Sequence, residues 1–482
     1  MRFDQLPLVT TANPTDTLPF TQTPGTAPSD ARIAFSDLPV STATATAIAA
    51  KITKPTDYVF VNSDAELAAA YAAKADGQTW VVFAKQTAYA FTGDMTIDNN
   101  ITVVGIGNPN LSVTGTITLG KVDTTNKSAR IIGFKAITTT GDFINWTPDG
   151  CSIDVFGDLY ATVGIEFNLY FAGIISSKLP LSCYEIDVVC AKGTQDDQRF
   201  YITPASGDVG TTAFSVSVFL NGCLVAKKTS NLIVSASASG SGVTRKVLVI
   251  GDSTTAAGTI TQTLLDNADT YTATPIGTQG TPPNKHEGHG GFESVSFAID
   301  GSPFWIGGAL DFHQYLIDNS LSLSANDWIV ILTGINDCGA IASDTAMQAQ
   351  AKSEAYYLNV IIGIIKAEVS GIRIAIGMVI PPAAEQASFG ALFGAERTQK
   401  RHAINRSIWR KEIYSKFKDR DGVEFIHING SISTEYGFPA TAGNVATRIT
   451  TQITRQTDGY HPTTGGYSQM GDCLWSFLKS KA

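Results

Sequence analysis

The stretch Lys246-Val-Leu-Val-Ile-Gly-Asp-Ser-Thr254 decides the fold prediction for the second half of the chain. Val247 to Ile250 form an uninterrupted apolar run, which is typical of a parallel strand that is covered on both faces. The run stops at Gly251-Asp-Ser253, and a helix is expected over 254–267. Open α/β sheets place functional groups beyond the carboxyl ends of their strands, so Ser253 is a candidate nucleophile. Helix capping is the alternative explanation for Asp252 and Ser253.

From residue 244 onward, apolar runs and amphipathic segments alternate along the chain. The apolar runs predict further strands at Trp328–Leu332, 372–380 and 423–428. Helical periodicity predicts helices over 348–370, 396–417 and 467–479. Such alternation predicts a parallel sheet with helices on both faces. Residues 244–482 are therefore expected to form one α/β domain.

The first half of the chain is β-rich and divides into shorter units. Residues 1–50 are rich in Thr, Pro, Ala and Ser and predict an extended arm, either an attachment segment or a disordered tail. Residues 51–157 carry one helix and several short β runs, which suit either a short β-solenoid or a small irregular β domain. Alternating runs over 158–235, with an Asn221-Gly222 hairpin signal, predict an antiparallel β-sandwich. The Ser/Gly-rich stretch 236–243 is expected to be a flexible linker.

Composition excludes several classes of partner. The net charge of −9 and the lack of long basic runs argue against nucleic acid. No apolar run is long enough to span a membrane, and no classical signal peptide is recognisable. The six cysteines form no C-x-x-C motif, so we expect free and mostly buried thiols. A neutral or polar substrate such as a carbohydrate fits this composition better than a polyanion.

A nucleophilic serine needs a base, an acid that orients the base, and donors for the oxyanion. Asp458-Gly-Tyr-His461 places an aspartate three residues before a histidine, and the chain has only six histidines. On a loop, the carboxylate can accept the Nδ1 proton and leave Nε2 facing the serine. For an isolated Asp-x-x-His, a surface turn is the alternative explanation.

Two further segments contain candidate oxyanion donors. Leu332-Thr-Gly-Ile-Asn-Asp337 ends the second buried strand, where the amide of Asn336 can point at a developing negative charge or form an Asx turn. Lys285-His-Glu-Gly-His-Gly-Gly-Phe292 is a glycine-dense loop whose N–H groups can approach a ligand. Its two histidines and Glu287 lack a third convincing ligand cluster, so no metal is expected.

The four motifs occur in the order Gly251-Asp-Ser253, glycine loop, Gly334-x-Asn-Asp337, Asp458-x-x-His461. In this order they resemble the SGNH (GDSL-type) hydrolase family over about residues 244–482. The resemblance implies a flavodoxin-like α/β fold and ester hydrolysis without a cofactor. It also implies Ser253 as the nucleophile, His461 as the general base and then acid, and Asp458 as the carboxylate that orients His461.

The resemblance further implies an oxyanion hole formed by the N–H groups of Ser253 and Gly288 and the amide of Asn336. The glycine loop departs from the Gly-x-Ser often found in the family, which makes Gly290 the competitor of Gly288. Thr254 stands where the name-giving motif has leucine. Residues 284–292, with Phe304-Trp305 and Leu310-Asp-Phe312, look like the carbohydrate esterases of the family, in which a β-sandwich often precedes the hydrolase.

The arm at 1–50 and the solenoid-like part are similar to phage tail spikes and tail fibres, which often form trimers. We therefore expect a virion-associated esterase that removes O-acetyl groups from a bacterial surface polysaccharide. Its arm would bind other tail proteins, and the protein would be a homotrimer. The alternatives are a non-catalytic glycan-binding or structural tail protein, and a bacterial esterase acting on small esters or lipids outside the cell.

Overall fold

A computed structural model describes the chain from residue 58 with short gaps in the first third and one later gap. The described residues are 58–75, 78–83, 88–97, 101–106, 109–119, 129–132, 134, 136–145, 150–389 and 398–482. The arm predicted over 1–50 lies outside them.

The N-terminal part is built from short parallel strands. Its helix α1 is Asp64–Ala72, and its strands are β1 (Tyr58–Val61), β2 (Thr79–Phe83), β3 (Ala88–Phe91), β4 (Met95–Ile97), β5 (Thr102–Ile106), β6 (Asn110–Val113), β7 (Ile117–Leu119), β8 (Arg130–Ile132), β9 (Ala136–Thr139) and β10 (Phe143–Asn145). Three parallel sheets contain them, in the orders β1-β2-β5-β8, β3-β6-β9 and β4-β7-β10. The chain therefore passes the same three sheets in the same order three times. Alternate side chains such as Tyr89, Leu111 and Ile117 are buried between the sheets.

The next part is mainly antiparallel. Its elements are β11 (Ser152–Ile153), β12 (Leu159–Thr162), β13 (Phe167–Tyr170), α2 (Phe171–Ile174), β14 (Ile175–Ser176), β15 (Glu185–Cys190), β16 (Thr194–Gln195), β17 (Arg199–Ile202), β18 (Gly210–Leu220) and β19 (Cys223–Ser235), with short 3-10 turns at Leu181–Cys183 and Ser206–Asp208. The sheets β13-β17-β16 and β15-β18-β19 share one apolar core, which includes Leu169, Phe200 and Val216. Asn221 and Gly222 have φ values of 52° and 74°, so the predicted Asn-Gly turn joins β18 to β19.

Strand β19 is longer than the sequence indicated. The sequence has two apolar runs, at 223–225 and 232–234, with mostly polar residues between them, a pattern that predicts two separate strands. The structure gives one strand, since Lys227 donates from Nζ to the carbonyl of Thr139 at 2.9 Å and Lys228 binds Asp142 at 2.7 Å. Strand β19 also pairs with β10, so one seven-stranded sheet crosses the domain boundary predicted at residue 157. The domain boundaries themselves remain our prediction.

The C-terminal part contains a parallel sheet and, in addition, antiparallel strand pairs. Its strands are β20 (Thr244–Gly251), β21 (Thr272–Ile276), β22 (Gln279–Thr281), β23 (Asn284–Gly288), β24 (Trp305–Ile306), β25 (Ala309–Leu310), β26 (Trp328–Leu332), β27 (Arg373–Gly377), β28 (Val423–Ile426), β29 (Ala440–Ala446) and β30 (Ile449–Gln456). Strands β21, β20, β26, β27 and β28 lie side by side and are all parallel. Numbered by their appearance in the chain, these five strands have the order 2-1-3-4-5 of flavodoxin-like folds. The last two residues of β20, Ile250 and Gly251, also pair with β23.

Helices cover this sheet. They are α3 (Ser253–Ala256), α4 (Thr259–Asp266), α5 (Phe312–Asp318), α6 (Asp344–Glu368), α7 (Gln399–Phe417), α8 (Ile428–Ser431) and α9 (Thr464–Ser480), with 3-10 turns at Ser294–Ala298 and Gln386–Ser388. Helix α4 packs against α9, and α6 packs against α7. Residues 247–250 and every residue of β26 are buried, as expected for a sheet that is covered on both faces.

The antiparallel part is fixed to the α/β part by buried polar contacts. Asp154 and Arg410 form an ion pair of 2.6 Å that is almost fully buried. Burial lowers the pKa of His427 to about 4, and its neutral Nε2 accepts the N–H of Phe156 at 2.6 Å. In the stretch predicted as a flexible linker, residues 236–242 form turns, and the N–H of Gly242 donates to the carbonyl of Thr270 at 2.8 Å. The connection is thus hydrogen-bonded to the domain that follows it.

All six cysteines lie in the described residues and carry free thiols. Cys151 and Cys338 are buried, Cys183 is exposed, and the other three are partly buried, so the thiols are less buried than expected. Across the described ranges, no helix combines the length and the apolar character that crossing a membrane requires.

Candidate active site

The nucleophile candidate stands at the end of the central strand. A Cβ on Gly251 would lie 2.1 Å from Oγ1 of Thr255 and 2.6 Å from the carbonyl oxygen of Leu332, so only glycine fits there. Asp252 caps the short helix α3 by accepting the N–H of Thr254 at 2.9 Å and its hydroxyl at 2.7 Å. Burial raises the pKa of Asp252 to about 6, against these hydrogen bonds. The capping role therefore falls to Asp252, and Ser253 is half-buried with its hydroxyl free for chemistry.

The structure brings Ser253, His461 and Asp458 together. The Ser253 Oγ lies 3.0 Å from His461 Nε2, and His461 Nδ1 lies 2.9 Å from Asp458 Oδ2. The other carboxylate oxygen of Asp458 accepts the N–H groups of Tyr460 at 2.8 Å and His461 at 3.0 Å. The three-residue spacing therefore makes a tight loop in which Asp458 holds both the backbone and the ring of His461. Serine, histidine and aspartate have the geometry of a nucleophile, a base and an orienting acid.

The hydrogen bond between the acid and the base sets their pKa values. Partial burial alone would raise the pKa of Asp458, but hydrogen bonds from the His461 ring and from two N–H groups outweigh it and lower the pKa to about 2. The same ring hydrogen bond raises the pKa of His461 above its ordinary value, against partial desolvation. Asp458 thus stays ionised at neutral pH, where it can stabilise a protonated His461.

The side chain of Asn336 is held by a hydrogen bond that its amide group donates to the backbone. Its Nδ2 donates to the carbonyl oxygen of Phe292 at 2.9 Å, and its side chain is only partly buried. Gly334, two residues earlier, has a φ of 118°, which a residue with a side chain rarely adopts. This turn after β26 places Asn336 against the glycine loop, and the second N–H of the amide can serve a developing oxyanion.

The Gly288 N–H has a different partner from the one predicted. It donates to Nδ1 of His286 at 3.1 Å, inside the protein. The next N–H, of His289, donates to the carbonyl of Gly251 at 2.8 Å. Neither N–H therefore points to an open position, because strand β23 continues to Gly288 and uses these groups locally. Gly290, the competing donor, follows in an exposed turn.

A buried carboxylate supports the glycine loop. Glu287 accepts the N–H of Thr278 at 2.9 Å, the hydroxyl of Thr278 at 2.7 Å, Nε2 of His289 at 2.8 Å and the hydroxyl of Tyr315. The ring of His289 stacks on Phe292 with 4.8 Å between centroids. Contacts therefore run from Glu287 through His289 and Phe292 to Asn336.

Sequence reasoning missed this supporting role. It treated His286, Glu287 and His289 only as weak metal-ligand candidates. In the structure, the ring of His286 accepts an N–H and the carboxylate of Glu287 is surrounded by protein donors. Within the described ranges, no three His, Cys, Asp or Glu side chains cluster as a metal site. The alternation of His and Glu along β23 was the visible signal, but the partners Thr278 and Tyr315 lie on other elements.

Two buried acids, Asp337 and Glu354, hold the other side of the Asn336 turn. Asp337 accepts the N–H of Ser294 at 3.1 Å, and Glu354 on α6 accepts the N–H of Val295 at 2.8 Å. Burial raises the pKa of Asp337, and burial together with the nearby Asp337 raises the pKa of Glu354 to about 9. Glu354 is therefore protonated at neutral pH. The two acids join the segment after the glycine loop to the turn that carries Asn336.

Comparison with known proteins identifies the α/β part. Residues 247–474 match the model of the family described as GDSL-like Lipase/Acylhydrolase. This match includes Ser253, Asn336, Asp458 and His461. No curated protein matches the sequence.

Several solved structures are similar to about half of the chain. Est24, a carbohydrate acetylesterase from Sinorhizobium meliloti, is 15% identical, and the match covers 49% of this chain and 99% of that one, with a TM-score of 0.28. Phospholipase A1 from Streptomyces albidoflavus NA297 is 14% identical, with the same coverages and TM-score. A possible lipase from Chitinophaga pinensis is 14% identical, and the match covers 49% and 98% of the two chains, with a TM-score of 0.28.

Proposed function

Because residues 247–474 match the model of the GDSL-like Lipase/Acylhydrolase family, we propose that the protein is a serine esterase that removes O-acetyl groups from a bacterial surface polysaccharide. The observation that carries the esterase assignment is the pair of hydrogen bonds from Ser253 to His461 and from His461 to Asp458, at 3.0 and 2.9 Å. An arrangement of this kind activates a serine hydroxyl at neutral pH.

The proposed reaction proceeds through an acyl-enzyme. Ser253 Oγ attacks the ester carbonyl, its proton passes to His461 Nε2, and Asp458 stabilises the charged ring. The negative oxygen of the tetrahedral intermediate is bound by the N–H of Ser253, the Asn336 amide and an N–H of the glycine loop, for which we propose Gly290. His461 then donates the proton to the departing sugar hydroxyl. A water then attacks the acetyl carbonyl and gives one proton to His461, and His461 passes that proton to the Ser253 oxygen as the bond to the acetyl group breaks and acetate leaves.

The proposed glycan substrate and tail location are supported by the N-terminal sheets and by the charge of the chain. The three parallel sheets of residues 79–145 suit the proposed β-solenoid, and the paired sheets of residues 167–235 suit the proposed β-sandwich. An acidic chain with a net charge of −9 suits a substrate that is not a polyanion. We propose a phage-tail homotrimer joined to other virion proteins through residues 1–50.

The decisive experiment measures acetate release from a panel of O-acetylated bacterial polysaccharides and p-nitrophenyl acetate hydrolysis in parallel. We expect Ser253→Ala to lower turnover about 10³-fold or more on both substrates while circular dichroism stays unchanged. Wild-type activity in Ser253→Ala would overturn the esterase assignment. Turnover of p-nitrophenyl acetate without acetate release from any polysaccharide would overturn only the glycan assignment. Light scattering of the full chain tests the trimer.

A further inference from the structure

A cavity lies between the antiparallel part and the α/β part, built from residues that the esterase mechanism does not use. Its volume is about 500 Å³, within the range of small-molecule sites. Residues 170–172, 181, 182, 184, 186 and 195–198 line one side, and residues 433–435 line the other. The buried contacts of Asp154 and Asn429 hold the two sides together, so the cavity is preformed.

The lining combines an apolar floor with polar walls. Among the apolar lining residues, Phe171 is buried, and Leu181, Tyr184 and Ile186 are partly exposed. Aromatic and aliphatic side chains of this kind present flat apolar surface to a ligand. Asp197 and Glu435 add exposed carboxylates, which accept hydrogen bonds from hydroxyl groups.

Some polar side chains of the lining are engaged in hydrogen bonds within the protein and are therefore structural. The others are available to bind a ligand. The side-chain amide of Gln195 hydrogen-bonds to the β15 backbone as a neighbouring strand would. Its Oε1 accepts the N–H of Val188 and its Nε2 donates to the carbonyl of Ile186, both at 2.8 Å. Asp196 accepts the N–H groups of Gln198 and Arg199. The Gln198 amide donates to Glu435 at 2.7 Å and closes the gap between the two sides. Asp197, Ser182 and Glu435 line the cavity and are exposed, so they are available to a ligand.

The charge of the wall restricts the ligand. Carboxylates dominate it, so an anionic ligand such as a uronate would be repelled. The acidic groups also do not converge on a common point, since no cluster in the described part of the chain can hold a metal ion. A neutral molecule with several hydroxyl groups and an apolar face is compatible with this lining.

We propose that this cavity is a second glycan-binding site, which takes one or two neutral sugar units of a polysaccharide. The choice of a glycan among polyhydroxy ligands rests on the proposed function, whereas the cavity and its chemistry do not. Sugar hydroxyls donate to Asp197 and Glu435, and the apolar face of the sugar ring lies on Tyr184.

The site is connected to the active site by one short segment. Ser433 and Glu435 line the cavity, and Gly437 accepts the N–H of Thr463, two residues after His461, at 2.8 Å. Tyr436, between Glu435 and Gly437 in the sequence, is 76% exposed. A polysaccharide held in the cavity would therefore be kept near Ser253, which raises its effective concentration there.

The test is binding of the full chain to an array of bacterial polysaccharides, sorted into neutral and uronate-containing members. Asp197→Asn removes one carboxylate charge with little change of shape, and Ser182→Trp fills the opening. Asp187→Asn, on the exposed alternate positions of β15, is the matched control. We expect binding of at least one neutral polysaccharide, weakened about tenfold by Asp197→Asn and more by Ser182→Trp, and unchanged by Asp187→Asn.

Hydrolysis of p-nitrophenyl acetate separates this proposal from the esterase assignment. We expect both cavity variants to keep wild-type turnover of this small ester, which also shows that they fold. If Ser182→Trp fails to fold, Asp197→Asn alone decides. The proposal is overturned if no neutral polysaccharide binds, if uronate-containing polysaccharides bind more tightly, or if Asp197→Asn binds like wild type. Loss of ester hydrolysis in Ser253→Ala, or its persistence, bears only on the esterase assignment.

Discussion

Of the three carboxylate–histidine pairs described in the α/β part, the two near the candidate site have nearly equal lengths and different surroundings. His461 Nδ1 is 2.9 Å from Asp458, and His289 Nε2 is 2.8 Å from Glu287. The Asp458 side chain is 36% exposed, whereas that of Glu287 is fully buried. His461 turns its other ring nitrogen to Ser253, whereas His289 lays its ring face on Phe292.

The comparison shows that the surroundings, not the pair itself, separate catalysis from support. Burial alone would raise the pKa of Glu287, but hydrogen bonds from His289, Tyr315 and Thr278 outweigh it and lower the pKa. Glu287 is held in place by donors of three residues, Thr278, His289 and Tyr315. Asp458 accepts only from its own loop, so its charge is available to a ring that changes protonation state during turnover.

The largest effect is expected for Asp458→Asn. The asparagine amide favours the wrong tautomer of His461, so kcat for p-nitrophenyl acetate should fall about 10⁴-fold with little loss of stability. Asp419→Asn is the matched control, because Asp419 is 88% exposed and far from the catalytic loop in sequence. A decrease below tenfold would mean that Asp458 does not orient the base.

Glu287→Gln should mainly destabilise the protein. The glutamine NH₂ group would face donors of Thr278, His289 and Tyr315, which leaves buried groups unpaired. We expect the free energy of unfolding in urea to fall by about 2–4 kcal/mol, with a much smaller loss of kcat than for Asp458→Asn. Glu185→Gln, at an exposed position of β15, should leave stability unchanged. Equal stability of Glu287→Gln and wild type would contradict a supporting role.

The pH dependence should belong to one pair alone. His461 acts as a base only when neutral, and its raised pKa keeps it protonated to a higher pH than a free histidine, which titrates near 6.5. The kcat/KM should therefore fall about tenfold per unit as pH decreases below an apparent pKa above 6.5. Asp252 supports and Arg406 opposes this raised value. In profiles from pH 5 to 9, Asp458→Asn should lower the apparent pKa, and a similar shift in Glu287→Gln would erase the distinction between the pairs.

The smallest effect is expected for His289→Phe. Phenylalanine keeps the stack on Phe292 and removes only the donor to Glu287, so the unfolding free energy should fall by about 1–2 kcal/mol. Because Asn336 depends on the carbonyl of Phe292, kcat should fall by roughly two- to fivefold, less than 1 kcal/mol of barrier. A loss as large as that of Asp458→Asn would place His289 in the chemistry itself.

The sequence indicated the catalytic loop better than its support, for physical reasons. The buried run 247–250 and the run Trp328–Leu332 are continuous, so their strands and the residues at their carboxyl ends could be placed. Asp458 and His461 are three residues apart, and a local loop is enough to join them. The contacts of Glu287 with Thr278 and Tyr315 depend on how separate elements pack, and one sequence does not contain that information.

Other elements were missed because their sequence patterns are weak. The hairpin β29–β30 was not predicted, since its strands are mostly exposed and polar. Helix α4 is separate from α3, because Gly258 adopts a φ of 73° where a single helix was expected. The Gly288 N–H was assigned to the oxyanion from motif position, whereas strand pairing through Gly288 decides where that N–H points.

The pairing of β19 with β10 has a consequence for synthesis on the ribosome. Strand β10 ends at Asn145, and its partner β19 begins roughly 80 residues later. At a synthesis rate of about 5–20 residues per second, β19 begins to be made about 4–16 s after β10 is complete. During this interval the edge of β10 is an open template for another nascent chain. Neighbouring ribosomes on one messenger thus present matching edges to each other, and the hairpin at Asn221-Gly222 ends that risk when it emerges.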